Sequence, residues 1–246
     1  MNEETTSEKP NEEPRQDVAS PAALAILTSR GRWHLTPHLA LLDEALVYLD
    51  ARAAPVGFLK RLGYEFDDDP PPDALMPFTR LVVEMPPRHG KSELCSRYFP
   101  AWYLGRHSEH RVILTSYEAR FAARWGGRVR DLLKEYGAGL FGVSLARDRQ
   151  ASNDWGIAGT DGGMDTSGVG GPITGKGANL LDLDDAVKNA EEGASPVIQQ
   201  RNADWWDSTA YTRLEPDGIV LVVGTRWHEN DLIGHILRVQ DEEEDS

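Results

Sequence analysis

Arg80-Leu81-Val82-Val83-Glu84-Met85-Pro86-Pro87-Arg88-His89-Gly90-Lys91-Ser92-Glu93 passes from an apolar run through a proline-rich turn into a helix-compatible start. That order reads as a strand, a phosphate-binding loop and a helix N-terminus. Backbone N–H groups of such a loop surround phosphate oxygens, so Pro87, Arg88, His89, Gly90, Lys91, Ser92 and Glu93 form the candidate nucleotide-binding segment. Lys91 adds a positive charge near the β- and γ-phosphates, and the Ser92 hydroxyl is a candidate Mg²⁺ ligand. ATP or GTP is the first ligand this segment suggests. Gly90-Lys91-Ser92 matches the end of G-x-x-x-x-G-K-[ST], whereas Met85 replaces the opening glycine and two prolines remove N–H donors. A Gly-Lys-Ser triplet alone is more often an ordinary turn into a helix, so the rest of the chain decides.

Working outward, Val112-Ile113-Leu114 within Arg111 to Ser116 reads as a second buried strand, Leu180 to Leu183 as a third, and Ile219 to Val223 within Gly218 to Gly224 as a fourth. Helices alternate with them. Leu39, Leu42, Ala45, Leu46 and Leu49 recur at helical spacing from Pro37, and Phe121, Trp125, Val129, Leu132 and Leu133 make one stripe between Glu118 and Tyr136. The helix after the loop is expected to stop or kink near Pro100, which lacks an N–H. Ser195-Pro196 opens a helix through Trp205 and Trp206, and a short helix carries Leu232, Ile233 and Ile236. The dense glycines from Gly156 to Gly177 read as a structured functional loop. Continuous apolar strands alternating with helices predict an α/β fold of three layers around a mostly parallel sheet.

The 246 residues, 40% of them hydrophobic, suffice for one large domain. No run of eighteen apolar residues and no signal-peptide pattern occurs, so no membrane partner is expected and the chain reads as soluble and intracellular. The lone Cys95 excludes an internal disulfide framework and reads as a buried thiol without chemistry. The histidines lack metal spacing; His228 and His235 are seven apart. The net charge of −14 is concentrated: residues 1–17 carry −4, Glu65 to Asp73 carry −5 and residues 241–245 carry −5, leaving the remainder near neutral. The body therefore need not repel DNA. Residues 1 to about 20 read as a disordered acidic tail, 21–238 as the folded domain and 239–246 as a second acidic tail.

Phosphoryl transfer needs charge neutralisation and a positioned water, so a carboxylate is expected at the carboxyl end of a neighbouring strand. Asp184 and Asp185 follow the third apolar run. Asp184 is the candidate Mg²⁺ ligand with Ser92. Asp185 is the candidate for orienting or deprotonating water, with Glu191 and Glu192 as open alternatives. Turn-forming acids at a strand end are the bland reading. Arg120, Arg124 and Arg128 fall four apart on one helix face; solvated side chains beside a core stripe are the commoner meaning, phosphate or subunit contact the sharper one.

Pro86 to Ser92, Gly177 through Asp184-Asp185 with Val187-Lys188-Asn189, and Gly224-Thr225-Arg226-Trp227-His228-Glu229 together resemble the ATPase domain of tailed-phage terminase large subunits. The resemblance spans roughly Trp33 to Leu237. It implies an ASCE-type, RecA-like P-loop NTPase that uses ATP and Mg²⁺, assembles as a homo-oligomeric ring on a procapsid portal protein in the bacterial cytoplasm, works with a small terminase subunit, and drives viral double-stranded DNA into the head. It also implies Thr225 as a coupling residue, Arg88 as a phosphate-sensing arginine, Pro37-His38 near the adenine, and a trans-acting arginine among Arg124, Arg128, Arg213 and Arg226. Asp182 departs from the family's usual hydrophobic residue; buried there, it has to be neutralised or paired. Ala186 replaces a common proline, and Asp185 the usual glutamate. No nuclease domain is read in these residues, so nuclease activity is not expected. A catalytically impaired nucleotide-binding or interaction fragment, and a helicase-like P-loop ATPase, are the alternatives.

Overall fold

A computed structural model describes residues 18–173, 175 and 177–244; the side chains of 241–244 are outside the description. The acidic segment 1–17 lies outside the described residues. Val18 to Ser20, also read as tail, are instead part of the fold: Val18 is buried, its carbonyl accepts the Trp102 indole N–H at 2.6 Å, and Ser20 caps the first helix through the Ala23 N–H.

The chain begins with α1 (Pro21–Thr28), α2 (Pro37–Ala51), β1 (Ala53–Pro55), α3 (Val56–Arg61) and β2 (Leu75–Pro77), the two short strands pairing antiparallel. The main body runs β3 (Arg80–Glu84), α4 (Lys91–Glu93), a π-helical turn (Leu94–Tyr98), α5 (Phe99–Arg106), β4 (Arg111–Ser116) and α6 (Ala119–Phe141). There follow β5 (Leu145–Gln150), β6 (Asp154–Ile157), β7 (Gly163–Gly168), β8 (Ala178–Asp184), α7 (Ala190–Gly193) and α8 (Pro196–Trp205). A second π turn (Trp206–Ala210), β9 (Leu214–Gly224) and α9 (Leu232–Glu244) complete it.

Seven strands form one sheet in the order β3-β9-β8-β4-β7-β6-β5. The first five are parallel and the last two antiparallel, which is the mostly parallel sheet expected. The strand β9 stands between the strand feeding the loop, β3, and the acidic strand, β8. Period-two alternation divides the side chains between two cores. Leu180, Val112, Leu114, Leu221 and Val223 face α1, α2, α5 and α6, whereas Leu181, Leu183, Ile113, Val220 and Val222 face Trp205, Trp206, Leu232 and Ile233. Helices thus cover both faces of a three-layer fold.

Three expectations are corrected. The helix after the loop does not stop at Pro100, the first of the two outcomes expected. A π turn precedes the proline, with the Phe99 N–H reaching back to the Leu94 carbonyl, and widening the turn accommodates a residue without a donor. The glycine-dense segment is not loop throughout: Gly156-Ile157 end β6 and Gly163–Gly168 form β7, an antiparallel pair, with loop between and after them. Its glycines serve close approach, since a Cβ on Gly162 would lie 2.0 Å from the Ser108 carbonyl and one on Gly163 2.2 Å from that of Trp155. Lys176 lies outside the described residues. The helix expected to end at Tyr136 continues to Phe141, where Gly142 at φ 73° supplies the left-handed cap.

Candidate nucleotide site

The site forms where β3, β8, β9 and β4 end on the same edge of the sheet. Gly90, at φ 87°, is the N-cap of α4, a conformation glycine adopts without a Cβ penalty, and turns Lys91 inward. Lys91 is only 5% exposed. Its Nζ lies 3.4 Å from Asp185 Oδ2 and 3.4 Å from Thr225 Oγ1. The Asp185 carboxylate also accepts the Thr225 N–H at 3.2 Å, and the Thr225 hydroxyl donates to the Met85 carbonyl at 3.2 Å. Backbone bonds fix the frame: Met85 N–H to Gly224 O, Asp185 N–H to Val223 O and Tyr117 N–H to Asp185 O. Asp185 holds φ 50°, an uncommon conformation for a non-glycine residue.

Beside this triangle, Ser92 Oγ donates to Asp184 Oδ1 at 2.8 Å. Asp184 is buried and its Oδ2 has no hydrogen-bond partner among the described residues. Burial first and the Asp185 charge second raise its pKa to about 7, against the pull of Ser92 and Lys91. A carboxylate with an orphaned oxygen beside a hydroxyl is a hard-oxygen donor set that fits Mg²⁺. Among the described residues no group of three or more His, Cys, Asp or Glu is placed to hold a metal unaided, so these two would share the ion with phosphate and water.

Asp182 lies two residues earlier on the same face of β8. It is fully buried, and neither carboxylate oxygen has a hydrogen-bond partner among the described residues. Burial, reinforced by Asp184, holds its pKa well above the ordinary carboxylate value, so of the two outcomes the sequence allowed, neutralisation prevails over pairing. Cys95 is buried beside this pair, its thiol pKa raised by burial and then by the two carboxylates.

The other candidates are distributed as follows. Arg88, at φ 67°, is exposed and makes no hydrogen bond or ion pair among the described residues. His89 Nδ1 lies 2.9 Å from the Pro87 carbonyl, and His38 Nε2 lies 3.1 Å from that of His89, which places Pro37-His38 against the loop. Glu93 faces outward and pairs with Arg97 and with Arg128, the latter at 3.3 Å. Glu192 caps α7: its carboxylate accepts the Lys188 N–H at 2.9 Å while Asn189 accepts the Glu192 N–H. Glu191 is exposed, and so is Arg124. Arg213 has a buried Nε without a hydrogen-bond partner among the described residues. Arg226 is committed within the chain, bonding Glu84 at 2.7 Å, Asp231 at 3.1 Å and the carbonyls of His228 and Glu229.

Sequence reasoning missed Asp231. It is 4% exposed and accepts the N–H groups of Trp227, His228 and Gly234 besides pairing with Arg226, so it rigidifies the loop after Thr225. An aspartate immediately before the Leu232 helix is the N-cap signal that could have revealed it.

A phosphate-binding loop, an acidic strand end and an intervening strand on one parallel sheet define a P-loop NTPase fold. Residues 82–245, well over half of the chain, match the family model for the terminase large subunit, T4likevirus-type, N-terminal. The chain belongs to that family, and with it to the DNA-packaging terminases. The match begins inside β3, so it does not extend over α2 to β2, which the resemblance from Trp33 included. Neither the curated proteins nor the solved structures give a match to this chain. Among the described residues no helix is long and apolar enough to cross a membrane.

Proposed function

We propose that this domain hydrolyses ATP with Mg²⁺ and uses the energy to move viral double-stranded DNA into a procapsid, as a ring at the portal supplied with DNA by a small terminase subunit. The supporting observation is the convergence of Lys91, Ser92, Asp184, Asp185 and Thr225 from three separate segments onto one edge of the sheet. Lys91 neutralises the β- and γ-phosphates. Ser92 and Asp184 would hold the magnesium ion, which supplies charge neutralisation at the triphosphate. Asp185 is the carboxylate nearest Lys91 and orients, or takes the proton of, the attacking water. Once phosphate claims Lys91, Asp185 loses its cation and becomes a better acceptor. Thr225, hydrogen-bonded to Asp185, passes that change to the loop that follows.

Lys91→Ala and Asp184→Ala are expected to abolish turnover with circular dichroism unchanged, and Asp185→Asn to lower it by about 100-fold or more. Absence of ATP hydrolysis by the intact chain with Mg²⁺, DNA, procapsids and small subunit present would sink the motor reading. The unpartnered Asp182 favours the second reading, a terminase domain that binds nucleotide with impaired catalysis. Nucleotide binding without turnover under the same conditions would favour it.

A further inference from the structure

Two exposed surfaces of opposite charge are built on different elements of the fold. Where the end of α1 meets the π turn after α4 and the middle of α6, a cleft of about 320 Å³ carries Arg30, Arg32, Arg97 and Arg128, with Asp131 and Glu135 as its acids. Part of that charge is neutralised within the chain: Arg30 pairs with Glu135 at 2.9 Å, and Arg97 and Arg128 share Glu93. Arg32 is exposed and makes no ion pair among the described residues, its Nε donating to the Ser29 carbonyl at 3.1 Å. Ile26 and Leu27, one turn earlier on α1, are also exposed.

The counterpart is the loop 62–74 between α3 and β2. Glu65, Asp67, Asp68 and Asp73 are exposed there without an ion pair among the described residues, while Asp69 pairs with Lys60. The loop is fixed in shape: the Pro72 carbonyl accepts the Gly57 N–H at 2.8 Å, the Pro71 carbonyl accepts the Ala74 N–H at 3.0 Å, and Phe66 packs against the core. Tyr64 and Leu75 stand exposed on either side of the acids. Each surface thus joins charge of one sign to large apolar side chains. Apolar side chains add nothing to phosphate contacts, so the mixture favours a protein partner over a nucleic acid. The loop leads through β2 into β3, the first strand of the sheet, whereas α6 packs on β4 and β7, away from that margin. A cleft of one copy meeting the loop of another is therefore a heterologous contact, the kind that propagates around a ring.

We infer that the arginine cleft of one copy of this chain receives the acidic loop 62–74 of a second copy. The contact rests on the ring proposed above for its partner and requires no nucleotide. The test is sedimentation velocity of the full chain at low ionic strength over a concentration series. Wild-type protein is expected to associate with itself, and less so as salt is added. Arg32→Glu, and separately Asp67→Lys with Asp68→Lys in one chain, each weaken self-association about tenfold or more, because cleft and loop then carry the same sign. All three substitutions are at exposed positions, and circular dichroism is expected to be unchanged. Mixing the two variant proteins restores association, since every cleft then finds a loop of opposite charge on the other variant. If the wild type associates but neither variant weakens it, or the mixture fails to recover, these surfaces are not the contact and only the ring remains. If Arg32→Glu leaves self-association intact and instead lowers affinity for a short double-stranded DNA, the cleft is a nucleic-acid surface and the inference is overturned. A wild type that stays monomeric across the series overturns it as well, whether or not the protein hydrolyses ATP.

Discussion

Asp182→Asn isolates the strangest residue in the sheet. In the folded chain Asp182 is fully buried, without a hydrogen-bond partner among the described residues, and its pKa is held well above the ordinary carboxylate range. The unfolded chain releases that proton near pH 4 and the folded chain retains it. Between those two pKa values the folded state therefore binds one more proton, and stability falls by about 1.4 kcal/mol for each pH unit gained. That slope runs up to the raised folded value, and it is set against the roughly 5–15 kcal/mol of stability that domains possess. Asparagine has nearly the same shape and no titration. Its amide also lacks partners, which adds an offset of about 1–3 kcal/mol, but that offset is constant with pH. The diagnostic is accordingly the slope. Urea unfolding of metal-free protein at pH 5, 6, 7 and 8 is expected to show the variant gaining on the wild type as pH rises from the unfolded value, the direct contribution of Asp184 being common to both. A stability difference that stays flat over this range would refute the reasoning, because it would mean that Asp182 ionises in the fold as readily as in the unfolded chain.

Asp231→Ala removes the acceptor of three backbone N–H groups and the partner of Arg226; a loss of about 3 kcal/mol is expected in urea unfolding, and less than about 1 would contradict the role assigned to it. His110 accounts for an opposite pH response at the far end of the sheet. Burial and the stacked His107 lower its pKa, with Tyr103, Glu109, Arg52 and Asp50 also facing it, so its contribution is lost as pH falls through the unfolded value near 6.5. His110→Asn is expected to flatten that acid loss relative to the wild type, as read by thermal melts from pH 7.5 to 5.5. Deleting residues 1–20 strips the Val18 carbonyl from Trp102 and the Ser20 cap from α1, for a loss of about 2 kcal/mol in thermal or urea unfolding; an unchanged midpoint would show that neither contact stabilises the domain.

Local signals determined what the sequence revealed. Val112-Ile113-Leu114, Leu180-Leu181 and Ile219 to Val223 are apolar enough to be buried on both faces, and they became the central strands β4, β8 and β9. The outer strand β5 was invisible because half of Leu145 to Gln150 is charged and the strand lies at the sheet edge, where water can cover one side. Nothing local marked Gly162 and Gly163 as positions that must be glycine, because what demands them, the carbonyls of Ser108 and Trp155, is brought close only by the fold. In the site, the strand-end position of Asp184 and Asp185 was legible, as was the anomaly at Asp182. The separation of Asp185 from Glu191 and Glu192 was not, since it depends on which carboxylate the ninety-odd intervening residues bring back to Lys91. Arg226 looked available for a trans role until its contacts with Glu84 and Asp231 were seen.

The strengths of the bonds around Lys91 indicate how the site would respond to nucleotide. Its contacts to Asp185 and Thr225 are both 3.4 Å, long for charge-assisted hydrogen bonds, so the lysine is loosely held and available to phosphate. The bonds that position Asp185 are independent of it: backbone links to Val223 and Tyr117 hold the residue in its left-handed conformation, and the Thr225 N–H holds its carboxylate. Losing Lys91 therefore changes the charge environment of Asp185 without freeing it to move. The remaining contact that can register the change is the one to Thr225, and the residues after Thr225 are tied by Arg226 and Asp231 into a stiff loop leading to α9. In the proposed motor a charge event at the phosphate would thus leave the site through a rigid connection, and a variant that loosens only that loop, such as Asp231→Ala, should uncouple DNA movement from ATP turnover before it abolishes turnover itself.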